Sequence, residues 1–165
     1  MSIQLYRVDE RLIHGQVIVG WGNELHPERI IVVDDDLAAS AWEQELYALG
    51  LPDEMTAVFC SADEAMDRLA EWETDPVRSI LLTREVETMT RLATSGRLQG
   101  KEINIGGLHY APGRRSILPY VYLSDTERHA LRGLVESGAV PSARDLPGAR
   151  RIPADRLLKG GPDSP

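Results

Sequence analysis

The 165-residue chain has one cysteine, Cys60, so no disulfide can form within it. That argues against a disulfide-stapled secreted scaffold and leaves stability to a hydrophobic core. Cys60 ends the apolar run Ala57-Val58-Phe59, where a buried structural thiol is expected. Lysine is nearly missing as well: Lys101 and Lys159 stand alone, and the other positive residues are arginines. Acids outnumber bases, and the net charge of -8 argues against nucleic acid or an anionic membrane surface as a partner. No apolar run approaches the ~20 residues that span a bilayer. The start, Met1-Ser2-Ile3-Gln4-Leu5, has no basic segment followed by an apolar one, so no secretory leader is expected. A cytoplasmic protein, held at a membrane only through partners, is the expectation.

Two nucleotide-binding signatures are also missing. There is no G-x-x-x-x-G-K-[ST] loop, and no G-x-G-x-x-G follows the first strand. His26 precedes Pro27 in a turn and His129 lies in a helix beside Arg128. Neither has a His or Cys partner at zinc-site spacing, so neither metal nor cofactor is expected.

What is present is a strand–helix alternation in a chain long enough for one domain with a sizeable core. Apolar runs predict strands at Ile3 to Val8, Arg29 to Val33, Thr56 to Cys60, Ser79 to Leu82 and Glu102 to Ile105. A further strand is expected from Ile117 to Leu123, away from the sheet centre because of Pro119, and a short one from Val140 to Leu146. Ile30-Ile31-Val32-Val33 is unbroken, as in strands covered on both faces. Helices are expected from Gly15 to Leu25, well buried; from Leu37 to Leu49, capped by Asp36; and from Ser61 to Trp72. Two more follow, from Glu85 to Ser95 and from Ser124 to Ser137, and Ser61 with Glu64 forms a capping-box pattern. The fold class is therefore α/β: a single three-layer domain, 1–158, with a mostly parallel sheet, helices on both faces, and a flexible tail at 159–165.

In such a sheet, ligands bind beyond the carboxyl ends of the strands, which selects three loops. The first, Asp9-Glu10-Arg11-Leu12-Ile13-His14-Gly15-Gln16, leads into a helix. A helix start favours a bound anion. Imidazole is a competent nucleophile near neutral pH, so His14 is the candidate phosphoryl carrier. Arg11 can fork onto phosphate oxygens, Gly15 allows close backbone approach, and Gln16 opens the helix. Asp9 is expected to hydrogen-bond the ring and select the attacking nitrogen. The second loop carries Gly106-Gly107, expected to use positive φ and to line an anion site with backbone N–H groups, then His109, Arg114 and Arg115. A Gly-rich connection with solvated arginines is the bland alternative. The third, Asp34-Asp35-Asp36, reads as a cap with two solvated acids in preference to a Mg²⁺ site.

The run Arg7-Val8-Asp9-Glu10-Arg11-Leu12-Ile13-His14-Gly15-Gln16-Val17, with Trp21, resembles the signature of IIB subunits from mannose/fructose/sorbose-class sugar phosphotransferase systems. Arg29 to Asp35, Asn104 to His109 and Gly113-Arg114-Arg115 resemble further motifs of that family, in the same order. The resemblance implies that His14 takes a phosphoryl group from a IIA protein, on the ring nitrogen nearer the backbone. It further implies that His14 gives the group to a sugar arriving through membrane IIC and IID subunits. Arg11 would steady the group, while His109, Arg114 and Arg115 would lie where partners dock. A homodimer is left open, as is a purely regulatory phosphoprotein using the same histidine. Glu10, Asp34 and Thr83-Arg84-Glu85 depart from the family's usual residues.

Overall fold

The computed structural model describes residues 2–159. Among them, seven strands form one sheet in the order β3-β2-β4-β1-β5-β8-β9. These are β1 (Ile3–Val8), β2 (Arg29–Val33), β3 (Thr56–Cys60), β4 (Ser79–Thr83), β5 (Glu102–Ile105), β8 (Val140–Ala143) and β9 (Ile152–Pro153). Every pairing is parallel except β8 with β9. The expected α/β architecture is the one observed.

Alternation of side chains along each strand builds two cores. Val8, Ile31, Leu81 and Ile103 face a layer of α4 (Ala62–Thr74), α5 (Val86–Ala93) and α6 (Asp125–Glu136), where Leu69, Trp72, Met89 and Leu131 are buried. Leu5, Ile30, Val32, Ile80 and Leu82 face the other way, onto Val17, Trp21 and Leu37. All five residues of β4 are buried, as an apolar strand covered on both faces should be. Ser61 and Ser124 each accept the N–H three residues on, while Glu64 and Glu127 reach back, giving complete capping boxes at α4 and α6.

Several elements differ from expectation. The segment after His14 is not a plain helix: Gln16–Trp21 is a π-helical turn that passes into α1 (Gly22–Leu25). Single π-turns often mark functional sites. It buries Val17 and Trp21 but exposes Val19, so it is less covered than its composition predicts. The helix expected from Leu37 to Leu49 is broken into α2 (Asp35–Ala38) and α3 (Ala41–Ala48), and its cap is Asp34, not Asp36. Asp34 accepts the N–H of Leu37 at 3.0 Å. The Ile117-to-Leu123 region is a separate antiparallel hairpin, β6 (Arg115–Leu118) and β7 (Val121–Leu123), with Pro119 in its turn. The last strand stops at Ala143, and β9 and α7 (Ala154–Lys159) follow it. Helix α7 includes Lys159. The remainder of the expected tail lies outside the described residues.

The sheet order places the site. β1 lies between β4 and β5, and the chain leaves β1 toward β2 while β5 continues toward β8. These directions part beyond the carboxyl ends of β1 and β5, the place where such sheets bind ligands.

Trp72 is fully buried whereas Trp42 is 65% exposed. Trp72→Ala should cost about 3–5 kcal/mol in a urea titration, while Trp42→Ala should stay within about 0.5 kcal/mol of the parent.

Candidate active site

The loop after β1 is clamped between the ends of its neighbours. The Asp9 N–H donates to Thr83 O at 3.0 Å, and the Glu10 N–H to Gly107 O at 3.0 Å. Inside this clamp lies a fully buried ion pair: Arg7 Nη2 and Asp9 Oδ2 are 2.9 Å apart, with neither side chain exposed. Asp9 also accepts the backbone N–H groups of Arg11 and Gly107, each at 3.1 Å, and the Arg11 guanidinium at 3.3 Å. Burial disfavours charge on Asp9, but Arg7 and these donors outweigh it and hold the carboxyl below its usual range.

Arg7 was not expected at the site. Its Nη1 donates to Asn104 Oδ1 and to Arg144 O, its Nη2 also reaches Gln16 Oε1, and it lies 5.6 Å from the centre of the Trp21 ring. Arg144 lies over the same ring at 4.9 Å. An arginine inside the apolar run of β1, and an asparagine inside β5, were the signals in the sequence. Burial lowers the Arg7 pKa, and Asp9 opposes that shift.

Gly106 makes room for this arginine, while a Cβ on Gly107 would lie 3.1 Å from Arg11 Nη2. A Cβ on Gly106 would lie 2.4 Å from Arg7 Nη2, so a side chain there would displace the guanidinium. Neither Gly106 nor Gly107 has positive φ. Their N–H groups are already committed, Gly106 to Val8 O at 2.7 Å and Gly107 to Asp9. Nothing lies within 4 Å of the Cβ that Gly15 lacks, so the space beside it is open.

Arg11 and Gln16 stand at the mouth. The Arg11 side chain is 37% exposed, and its Nη2 donates to Gln16 Oε1 at 2.7 Å. Among the described residues its Nη1 has no hydrogen bond. Gln16 Oε1 faces two guanidinium donors, which leaves its NH2 group to donate elsewhere.

His14 is positioned by an unusual backbone. Leu12 is buried with φ 56°, a left-handed conformation that L side chains disfavour. Its carbonyl lies 2.8 Å from His14 Nδ1. A carbonyl can only accept, so Nδ1 carries the proton and Nε2 the lone pair. Nε2 is buried without a hydrogen-bond partner, 3.6 Å from Asp9 Oδ2. That distance is too long for a hydrogen bond. Leu12, not Asp9, therefore sets the tautomer, and Asp9 acts through its charge. A phosphoryl group on Nδ1 requires the Leu12 bond to open. Burial lowers the His14 pKa, the Leu12 bond and Asp9 raise it, and Arg11 and Arg7 add to the lowering; the net shift is downward. The side chain keeps 15% exposure, so the ring is recessed but not sealed.

A second network adjoins the first. Glu10 accepts from His109, through both its backbone N–H and its ring Nδ1, and from Arg114 Nη1 at 3.0 Å. Arg114 forks onto Glu127 at 2.9 and 2.7 Å. His109 and Arg114 are thus brought together beside the site. Arg115 is not joined to them and pairs with exposed Asp125 at 3.3 Å. Asp34 caps α2 and Asp35 accepts the Ala62 N–H, so this acidic loop is structural. Among the described residues no group of His, Cys, Asp and Glu has a metal-holding arrangement.

Residues 3–162 match the family described as PTS system sorbose subfamily IIB component. The chain belongs to this family. It is 28% identical over 157 residues to the N-acetylgalactosamine-specific phosphotransferase enzyme IIB component 1 of Escherichia coli (strain K12), covering 91% of this chain and 94% of that protein. It is 29% identical over 138 residues to the mannose-specific EIIAB component of the same strain, covering 84% of this chain but 42% of that protein. The sorbose permease IIB domain of Klebsiella pneumoniae shares the fold, with TM-score 0.87, 24% identity and coverage of 98% and 99% of the two chains. The chain is thus a mannose-class IIB component of a sugar phosphotransferase system. No helix among its described residues is long and apolar enough to cross a membrane.

Two outcomes follow from this geometry. Asp9→Ala leaves Arg7 buried without its counter-charge and should cost about 3–5 kcal/mol in chemical denaturation. NMR titration of the His14 ring in this IIB component should give a pKa below the ordinary value of about 6.5. Because the unfolded chain takes up that proton first, this group's contribution to stability is present above pH ~6.5 and is lost as pH falls through the lowered value.

Proposed function

We propose that His14 is a phosphoryl carrier between two protein partners. In the first step a ring nitrogen of His14 attacks phosphorus on the phosphohistidine of a IIA protein. The new N–P bond forms as the donor's breaks, and the donor imidazole keeps the electron pair. In the second step a hydroxyl oxygen of a sugar held by the membrane IIC and IID subunits attacks the same phosphorus. His14 leaves as the free imidazole, and the hydroxyl proton is lost. The chain would work in the cytoplasm, against the membrane subunits.

The observation that carries this reading is a recessed imidazole whose Nδ1 bonds the Leu12 carbonyl, near an Arg11 whose Nη1 is unengaged among the described residues, at the start of a helical turn. A neutral ring keeps a lone pair for attack. Arg11 Nη1 and the Gln16 NH2 group offer donors to phosphate oxygens. The two guanidiniums are not equivalent: Arg7 is sealed and holds the frame, whereas Arg11 reaches solvent. Transfer of this kind rests on positioning and charge stabilisation.

Incubation with a phosphorylated IIA protein, followed by mass spectrometry at alkaline pH, should place the label on His14, and His14→Ala should take up none. Arg11→Ala should slow uptake by about 10²–10³-fold while its circular dichroism matches the parent. Label on another residue, or unchanged kinetics in Arg11→Ala, would overturn these assignments.

A further inference from the structure

Helix α3 buries none of its residues. It is held to the body by Gln44, whose amide donates to Leu37 O at 2.9 Å and Ala38 O at 3.1 Å, and by Tyr47, which packs on the core. Its outward face carries Trp42, Leu46 and, just past its end, Leu49, which are 65%, 57% and 81% exposed. The spacing i, i+4, i+7 puts them in one stripe. Large exposed apolar groups in a row mark an interaction surface more often than isolated ones do.

Two further observations say what fits there. The stripe adjoins the site: a Cβ on Gly50 would lie 3.9 Å from Ile13 Cγ2, and Ile13 immediately precedes His14. Along the chain, the segment that holds it carries one sign of charge. From Ile30 to Asp67 the sequence has ten acidic residues and no lysine, arginine or histidine. The whole chain is only -8, so the rest is weakly basic on balance. Glu45, Asp53 and Glu54 are exposed around the stripe. A complementary surface has an apolar centre ringed by Lys and Arg. A second copy would set acid against acid. Anionic lipid would repel the face. Cytoplasmic loops of membrane proteins carry an excess of Lys and Arg as a rule, a bias that soluble proteins do not share.

We propose that the exposed face of α3 is the docking surface for the basic cytoplasmic loops of the membrane subunits that receive the phosphoryl group. This rests on the phosphocarrier reading above. The partner's apolar groups cover Trp42, Leu46 and Leu49, its Lys and Arg meet the acidic rim, and Ile13 brings the contact up to His14.

The test uses the full chain and inverted membrane vesicles carrying the host's IIC and IID subunits, with subunit-free vesicles as control. Two double variants, Leu46→Glu with Leu49→Glu and Glu43→Lys with Glu45→Lys, alter only exposed or half-exposed positions, and circular dichroism checks their fold. Both should weaken co-sedimentation with the subunit-bearing vesicles about tenfold or more, and slow transfer from phosphorylated chain to sugar equally. Uptake of the phosphoryl group from IIA should be unchanged. Raising salt should weaken wild-type binding. Unchanged vesicle binding in both variants overturns the proposal. So does slowed uptake from IIA with vesicle binding intact, which gives the stripe to the donor. Equal binding to subunit-free vesicles, or a wild-type dimer abolished by Leu46→Glu with Leu49→Glu, overturns it too. Co-sedimentation needs no phosphoryl chemistry, so absence of label on His14 would sink the carrier reading and leave the docking result separately readable.

Discussion

The buried pair of Arg7 and Asp9 is the contact on which the site depends. Both side chains are sealed from solvent, so each charge is tolerable only because of the other and of the hydrogen bonds around them. Those bonds reach far along the chain. Arg7 reaches β5 through Asn104, the loop after β8 through the Arg144 carbonyl, and the π-turn through Gln16 and Trp21. Asp9 reaches Gly107 and Arg11. The pair thus fastens the loop that carries His14 to the loop after β5. It also accounts for a glycine: Gly106 stands where any side chain would strike the guanidinium.

This arrangement leaves His14 under opposing influences. Two arginines and burial favour the neutral ring, while the Asp9 charge and the Leu12 carbonyl favour the protonated one. The balance falls on the neutral side, which suits a nucleophile. The same charges bear on a phosphorylated ring in the opposite sense, since the arginines attract a phosphoryl dianion and Asp9 repels it. Under the proposed carrier reading, a group held between these fields would be stabilised without being trapped, the requirement for accepting and releasing it. The recessed ring adds a condition: with Nδ1 bound to Leu12 and Nε2 covered, the imidazole must turn before either nitrogen meets an incoming phosphorus.

The layers of the fold were legible because apolar runs and caps are local signals. Ile30 to Val33, the capping boxes at Ser61 and Ser124, and the strand–helix alternation all appear as read. The misplaced features were set by distant contacts. Asp34 and Asp36 are equally good caps by type, and the choice was made by where β2 ends. The two residues of β9 have no pattern of their own and form only because β8 offers an open edge. Around His14, the strand-end loop leading into a helical turn was legible, but how its neighbours pack was not. That Asp9 would face inward and that Gly106 would make room for an arginine depend on β5 lying against β1, and the left-handed φ of Leu12 has no local sequence signal.

The distribution of charge gives the molecule two sides. Arg7, Arg11, Arg114 and Arg144 gather around the site, each compensated by a nearby acid or carbonyl, so it is locally balanced despite an acidic chain. The surplus of negative charge lies instead from Ile30 to Asp67, around β2, α3 and β3, where no cation of the same segment offsets it. Self-repulsion there costs stability, and packing does not require it, since Glu45, Asp53 and Glu54 are exposed. Arg84 and Arg91 meet Asp34 and Asp63 from outside the segment, but a helix face that is apolar and flanked by exposed acids is better matched to another surface than to water. Ile13 lies beside Gly50, just past the end of α3, and the next residue is His14, so under the proposed reading recognition and chemistry stand side by side in sequence.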